Sequence, residues 1–294
     1  MSSVEFAIGK PPCEHEEPET VEEFKNLVRR HHENTRGQHE EKKTAEEPCP
    51  NCSWVIIQKD DAINRFGNSV KVRRLLRLGG HQALALSDDV EQYLRSSKTK
   101  LTEDEIAACD EFRLLKSKAA DGGLLGRLGA INAADVVKPE EMQYLIHLFL
   151  RIFFQIICPA KTRIRFCWES YTDRFGDFSL LPLYPRITLA SVEYSLVPHG
   201  GGLSARTRSR LGTLLHEVVH AFVELYVCRT CEDIEQVSGH GRVWQRLSNW
   251  IEQTALRRIG VSLEIGGFDE IKVHWSEIEH WPTLEEVETE WGLE

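Results

Sequence analysis

Hydrophobic positions first fall into a helical rhythm after Ser53, in "INRFGNSVKVRRLLRL" and again in "TEDEIAACDEFRLLKSKA". Apolar residues three and four apart turn one helix face toward a core. In the second stretch Thr102 and Glu105 stand at capping-box spacing, which predicts a helix start. "DGGLLGRLGA", 121–130, breaks the rhythm with glycines and separates a helical region, 54–130, from a second unit with a different pattern. "KPEEMQYLIHLFLRIFFQIICP" has Pro139 and acids at its start and Pro159 at its end, which predicts one long, mostly buried helix.

The period then changes. "IRFCWE" sets Ile164, Phe166 and Trp168 against Arg165, Cys167 and Glu169, a strand pattern. "RITLASVEY" is rich in β-branched residues and shifts phase near Ala190, as a bulged strand does. After the loop "VPHGGGLSARTRSR" comes "LLHEVVHAF", 214–222, a helix apolar nearly all round. "RVWQRLSNWIEQTALRRIG" puts Val243, Trp244, Leu247, Trp250, Ile251 and Leu256 on one helix face and stops at Gly260. The expected fold class is α+β: a core over 138–260 of long helix, short sheet, the 214–222 helix and one further helix, with the 54–130 helical region ahead of it.

The ends read differently. Residues 1–53 hold 12 acidic and 7 basic side chains and few large apolar ones, so burial cannot offset their ordering entropy. A disordered acidic tail is expected there, with room for a short helix around Val21 to Arg30. Residues 261–294 carry 10 acids against Lys272, with Trp275, Trp281 and Trp291 among them. This acidic tail is expected to dock on the surface, where it would shield the basic centre of the chain or meet a partner protein.

Charge adds a second candidate partner. The net −10 conceals a basic segment, 151–212, with nine Lys or Arg, Arg151, Arg165, Arg174 and Arg210 among them, against four acids. DNA is a candidate partner through that segment. The longest apolar stretch, "YLIHLFLRIFFQIIC", is interrupted by His147, Arg151 and Gln155 and is too short and polar for a membrane span. With no signal-peptide pattern and cysteines too sparse for a disulfide framework, an intracellular protein, nuclear or cytoplasmic, is expected.

His216 and His220 are four residues apart, so on a helix they project from one face about one turn apart and can grip one ion. Glu217, beside the first, is placed to take a proton from water rather than to ligate. Burying three titratable groups in so apolar a helix without a partner would cost several kcal/mol, and zinc would satisfy the imidazoles. A catalytic zinc calls for a third protein ligand and an open fourth position. Glu232, Glu235 and His240 are candidates; His240 is preferred because Gly239 and Gly241 permit a sharp turn just before a helix. Val223 and Tyr226 stand where the metzincin extension needs Gly and His, which excludes that subclass. Tyr194, His199 and Tyr226 are candidate oxyanion donors, and the strand from Ile187 to Tyr194 is expected to bind extended substrate by strand addition.

"LGTLLHEVVHAF", followed 20 residues after His220 by "GHGRVWQRL", resembles the core of the SprT-like zinc metalloproteases, over about Lys138 to Gly260. The resemblance implies a zincin-like fold and one catalytic zinc on His216, His220 and His240. It also implies Glu217 as catalytic base and hydrolysis of peptide bonds in protein substrates. Spartan-type members digest proteins crosslinked to DNA, which implies DNA–protein crosslink repair. The alternative is a non-catalytic, zinc-stabilised module that binds protein or nucleic acid; Glu217 argues against it, since a structural site needs no base.

Cys228 and Cys231 form one Cys-x-x-Cys pair and Cys49 and Cys52 another, half a zinc site each. With 175 residues between them, a redox pair or ordinary thiols is the preferred reading, and a second, structural zinc at Cys228/Cys231 is not expected. No cysteine follows Cys231, so the Cys-rich zinc ribbon that often follows the core in relatives has no counterpart.

Overall fold

The proline-framed apolar helix is the hub about which the other elements pack. A computed structural model describes residues 17–35, 62–63, 69–70, 76–95, 101–156, 159–181, 183–192, 203–230, 239–275, 278 and 281–293. In chain order the elements are α1 (Val21–Thr35), β1 (Ala62–Ile63), β2 (Ser69–Val70), α2 (Ala83–Arg95), α3 (Glu103–Ser117) and α4 (Leu124–Arg127). The hub helix α5 (Pro139–Phe154) is followed by β3 (Arg165–Glu169), β4 (Gly176–Leu180), β5 (Pro185–Ala190), α6 (Ala205–Tyr226), α7 (Arg242–Ile259), α8 (Gly267–His274) and α9 (Leu284–Thr289).

The observed class is mixed α+β, rich in helix with a small three-stranded sheet. Leu145, Ile146, Phe149, Leu150 and Phe153 of α5 are all buried, and α3, α6 and the sheet cover different sides of it. The sheet runs in the order β3-β5-β4, with β5 parallel to β3 and antiparallel to β4. Ile187 in β5 lies opposite Phe166 on one side and Phe178 on the other. Among the described residues, pairing on β5 ends at Ala190; the Ser191 carbonyl instead accepts from Arg210 and from the Ala133 N–H.

Several expectations change. α2 and α3 are not a separate accessory unit but share the core of α5, α6 and α7. Buried arginines on α7 fasten α2 and α5: Arg246 donates to Ser87 and pairs with Asp88 and Glu91, and Arg258 donates to the Tyr93 and Ile152 carbonyls. Part of "INRFGNSVKVRRLLRL", read as helical, contributes instead to the antiparallel pair β1 and β2. Gly67 and Asn68 between them are turn-forming residue types that a reading by apolar spacing passes over.

Both ends depart from tails. α1 is an ordered amphipathic helix, and the acidic C-terminal segment folds as α8 and α9 against it, burying Phe24, Val28, Ile271, Val287, Trp291 and Leu293 together. The acids do not cover the basic 151–212 segment in the described ion pairs. Glu286 and Glu290 pair with Arg242 and Glu288 with Lys25. Tryptophan supplies the apolar area that composition alone understated. No described helix is long and apolar enough to cross a membrane.

Candidate metal centre

α6 is started and anchored by its own first turns. Ser204 caps it by accepting from the Thr207 N–H at 3.1 Å. Arg210, fully buried, donates to the carbonyls of Leu128, Ala130, Ile131 and Ser191 at 2.5, 2.6, 2.9 and 2.8 Å. Those four acceptors lock α6 to the turn after α4 and to the end of β5. Arg210 is therefore a structural clamp and not part of a polyanion-binding face. Elsewhere in the basic segment Arg151 pairs with Glu111, Arg174 with Asp173, and Arg165 lies over the Tyr184 ring.

From that anchored start the helical period brings His216 and His220 to one face. His240 reaches them from the turn before α7, where Gly239 adopts a left-handed φ of +51° while Gly241 keeps an ordinary φ of −62°. The three Nε2 atoms are each 3.1 Å from the other two. Trp244, one turn into α7 and buried, backs all three rings, with centroids 4.8, 5.6 and 4.6 Å from those of His216, His220 and His240. The side chains of His216 and His240 keep 12 % and 14 % exposure, so one side of the cluster faces outward.

His216 Nδ1–H donates to the Ile265 carbonyl at 2.8 Å. A carbonyl only accepts, so the proton sits on Nδ1 and a neutral ring presents a bare lone pair at Nε2. The strap carrying that carbonyl, 261–266, is itself held: the Glu252 carboxylate on α7 accepts the Ile265 N–H at 2.6 Å. Gly212 allows the strap to pass, because a Cβ there would lie 2.2 Å from the Glu264 oxygen.

Glu217 is 5 % exposed and lies beneath the start of β4, where a Cβ on Gly176 would come within 2.7 Å of its Oε1. Burial pushes its carboxyl well above the usual carboxylate range; the charges of Asp177 and Glu270 add to the rise and Arg174 opposes it. A cation on the neighbouring histidines would act in the opposite direction. Glu270 of α8 completes the surroundings, with Oε2 3.5 Å from His240 Nε2 and Oε1 4.0 Å from His216 Nδ1.

The cluster fits a tetrahedral ion such as zinc. Nitrogens bound at about 2.0–2.1 Å in that geometry stand about 3.3 Å apart, close to the 3.1 Å triangle observed. Three imidazole nitrogens converging at 3.1 Å turn lone pairs toward one another, which a cation resolves. His216, His220 and His240 form this group among the described residues. Glu232, Glu235, Tyr194, His199, Cys231, Cys49 and Cys52 lie outside the described residues. Tyr226, a candidate oxyanion donor, is buried against Phe222, about 120° round α6 from His220, and burial raises its hydroxyl to about 12. Cys228 is buried with its sulfur 3.1 Å from Thr230 Oγ1.

No family model, curated protein or solved structure matches this chain. β5 cannot accept an added strand over Pro185–Ala190, since both its edges are paired. β4 pairs on one side only among the described residues, and it is β4 that crosses Glu217. Sequence reading missed Ile265, Glu270 and the two glycines; an isolated glycine inside an apolar helix, as in "LGTLL", was the available signal for a close backbone approach.

Proposed function

We propose that the protein is a zinc-dependent endopeptidase of SprT-like type, with His216, His220 and His240 as ligands in a zincin-like core. The carrying observation is the 3.1 Å triangle of Nε2 atoms with a buried Glu217 next to it. When bound, zinc supplies a Lewis acid for the scissile carbonyl and lowers the pKa of its water toward about 7. Glu217 accepts the proton of the attacking water at a carboxylate oxygen and delivers it to the leaving amine. Its apolar surroundings favour holding that proton between the two transfers. Trp244 closes the rear of the site to solvent. The edge of β4 that has no partner among the described residues receives an extended peptide by strand addition, beside the base.

The likeness of the two motifs to SprT-like proteases makes proteins associated with or crosslinked to DNA the first substrates to try. One observation favours the alternative, a non-catalytic zinc module: the Glu270 carboxylate stands at the edge of the cluster. Glu217→Gln separates the two. An endopeptidase should keep one zinc per chain and lose about 10²- to 10⁴-fold in cleavage of an unfolded protein. Full turnover in the variant, or no turnover by zinc-loaded wild type under any condition, would refute the proposal.

A further inference from the structure

We infer that Glu270 is a fourth, displaceable metal ligand: α8 brings its carboxylate to the edge of the three-histidine centre, from where it competes with a substrate for the ion. This rests on the zinc reading above and adds its regulation. Oε2 of Glu270 stands 3.5 Å from His240 Nε2, close to the separation of two ligand atoms on one tetrahedral ion, about 3.3 Å, so the carboxylate lies beside one of the three ligands and reaches the ion by a turn of its side chain. Three imidazoles and a carboxylate are all zinc donors, and a carboxylate offsets half of the ion's charge.

The element carrying Glu270 is held apart from the helices carrying the histidines. Ile271, its neighbour, packs with Phe24, Val28, Val287, Trp291 and Leu293 in the small terminal cluster, whereas α6 and α7 belong to the large core. α8 joins the strap through the Gly266–Gly267 pair and touches α7 through the Gln245 side-chain amide, which donates to the Gly267 carbonyl at 3.4 Å. The terminal unit is clamped beside the site by Arg242, two residues past His240, through Glu286 at 2.5 Å and Glu290 at 3.1 Å. A small cluster tied to α7 through Arg242, Arg246 and Asn249 opens at lower free energy than a core of α5, α6 and α7. α8 can therefore leave with Glu270 while the three histidines stay in place.

The test uses the full chain as wild type, Glu270→Ala and Glu270→Gln, the last preserving shape if the alanine variant misfolds. Zinc affinity is read by competition with a chromogenic chelator, ligation by the visible spectrum of the cobalt(II)-substituted protein, and turnover on an unfolded protein. The expected result is zinc affinity lower by at least about tenfold, a changed cobalt spectrum and faster cleavage in both variants. A spectrum and affinity identical to wild type overturn the assignment of Glu270 and leave the endopeptidase reading standing. A changed spectrum with no cleavage by any of the three proteins supports the ligand and overturns the endopeptidase reading. Folded wild type that takes up no zinc overturns both.

Discussion

Replacing Gly212 by alanine tests how the strap controls the metal centre. An added Cβ would meet the Glu264 carbonyl oxygen at 2.2 Å. Ordinary carbon–oxygen contacts begin near about 3.3 Å, so the strap must withdraw by about 1 Å. The same movement stretches the 2.8 Å bond from His216 Nδ1 to the Ile265 carbonyl beyond about 3.5 Å, where it no longer counts as a hydrogen bond. Three contributions set the stability change. Alanine gains about 1 kcal/mol over glycine inside a helix, overpacking costs about 1–3 kcal/mol, and the lost hydrogen bond costs about 1 kcal/mol. The expected net loss is about 1–3 kcal/mol, measured by urea unfolding of the metal-free protein. Zinc affinity should fall further, by about 10- to 100-fold, because His216 loses the acceptor that fixes its tautomer and ring orientation. Gly212→Ala that binds zinc as tightly as wild type would show that the strap does not orient His216.

Gly176→Ala should act on the base and not on the three histidines: its Cβ would lie 2.7 Å from Glu217 Oε1 and 2.8 Å from Thr213 Cγ2. A displacement of about 1 Å should lower kcat on the order of 10²-fold with zinc affinity unchanged, and steady-state kinetics with undiminished kcat would contradict the placement of Glu217. Arg210→Met takes the donor from the Leu128, Ala130 and Ile131 carbonyls, while Ser191 keeps the Ala133 N–H, and should cost about 3–5 kcal/mol in urea unfolding; a loss below about 1 kcal/mol would remove Arg210 as the anchor of α6.

Much of the centre of the fold was legible because its signals are local. Pro139 and the acids behind it set the start of α5, Thr102 and Glu105 close the predicted capping box on α3, and Gly260 ends α7 in a left-handed conformation. β3 and β5 followed from alternation and β-branching. β4 did not, since "GDFSL" alternates weakly and is a strand only because β5 pairs with it. The histidines and Glu217 could be named from spacing on one helix and one glycine-flanked turn. Glu270 and Ile265 could not, because each reaches the site through the path of the chain after α7, and an acid in an acidic segment carries no local mark of its neighbour. The terminal helices were hidden for the same reason: α1 and α9 are polar segments whose few apolar residues gain cover from one another, from α8 and from the flanking tryptophans, as Phe24 does against Trp281 and Trp291.

The meeting of the two ends sets an order of assembly during synthesis. α1 is made before its partners, yet 15 residues of isolated helix are marginal in water, and Val287, Trp291 and Leu293 follow only after every other described element of the fold. Everything from α2 to the strap can gather its core earlier, since its apolar partners lie between Ala83 and Ile265. A nascent chain therefore completes its three histidines before it can build the unit that carries α8. During that interval the new chain holds the three histidines without α8 beside them, and the terminal cluster waits for α9 to leave the ribosome.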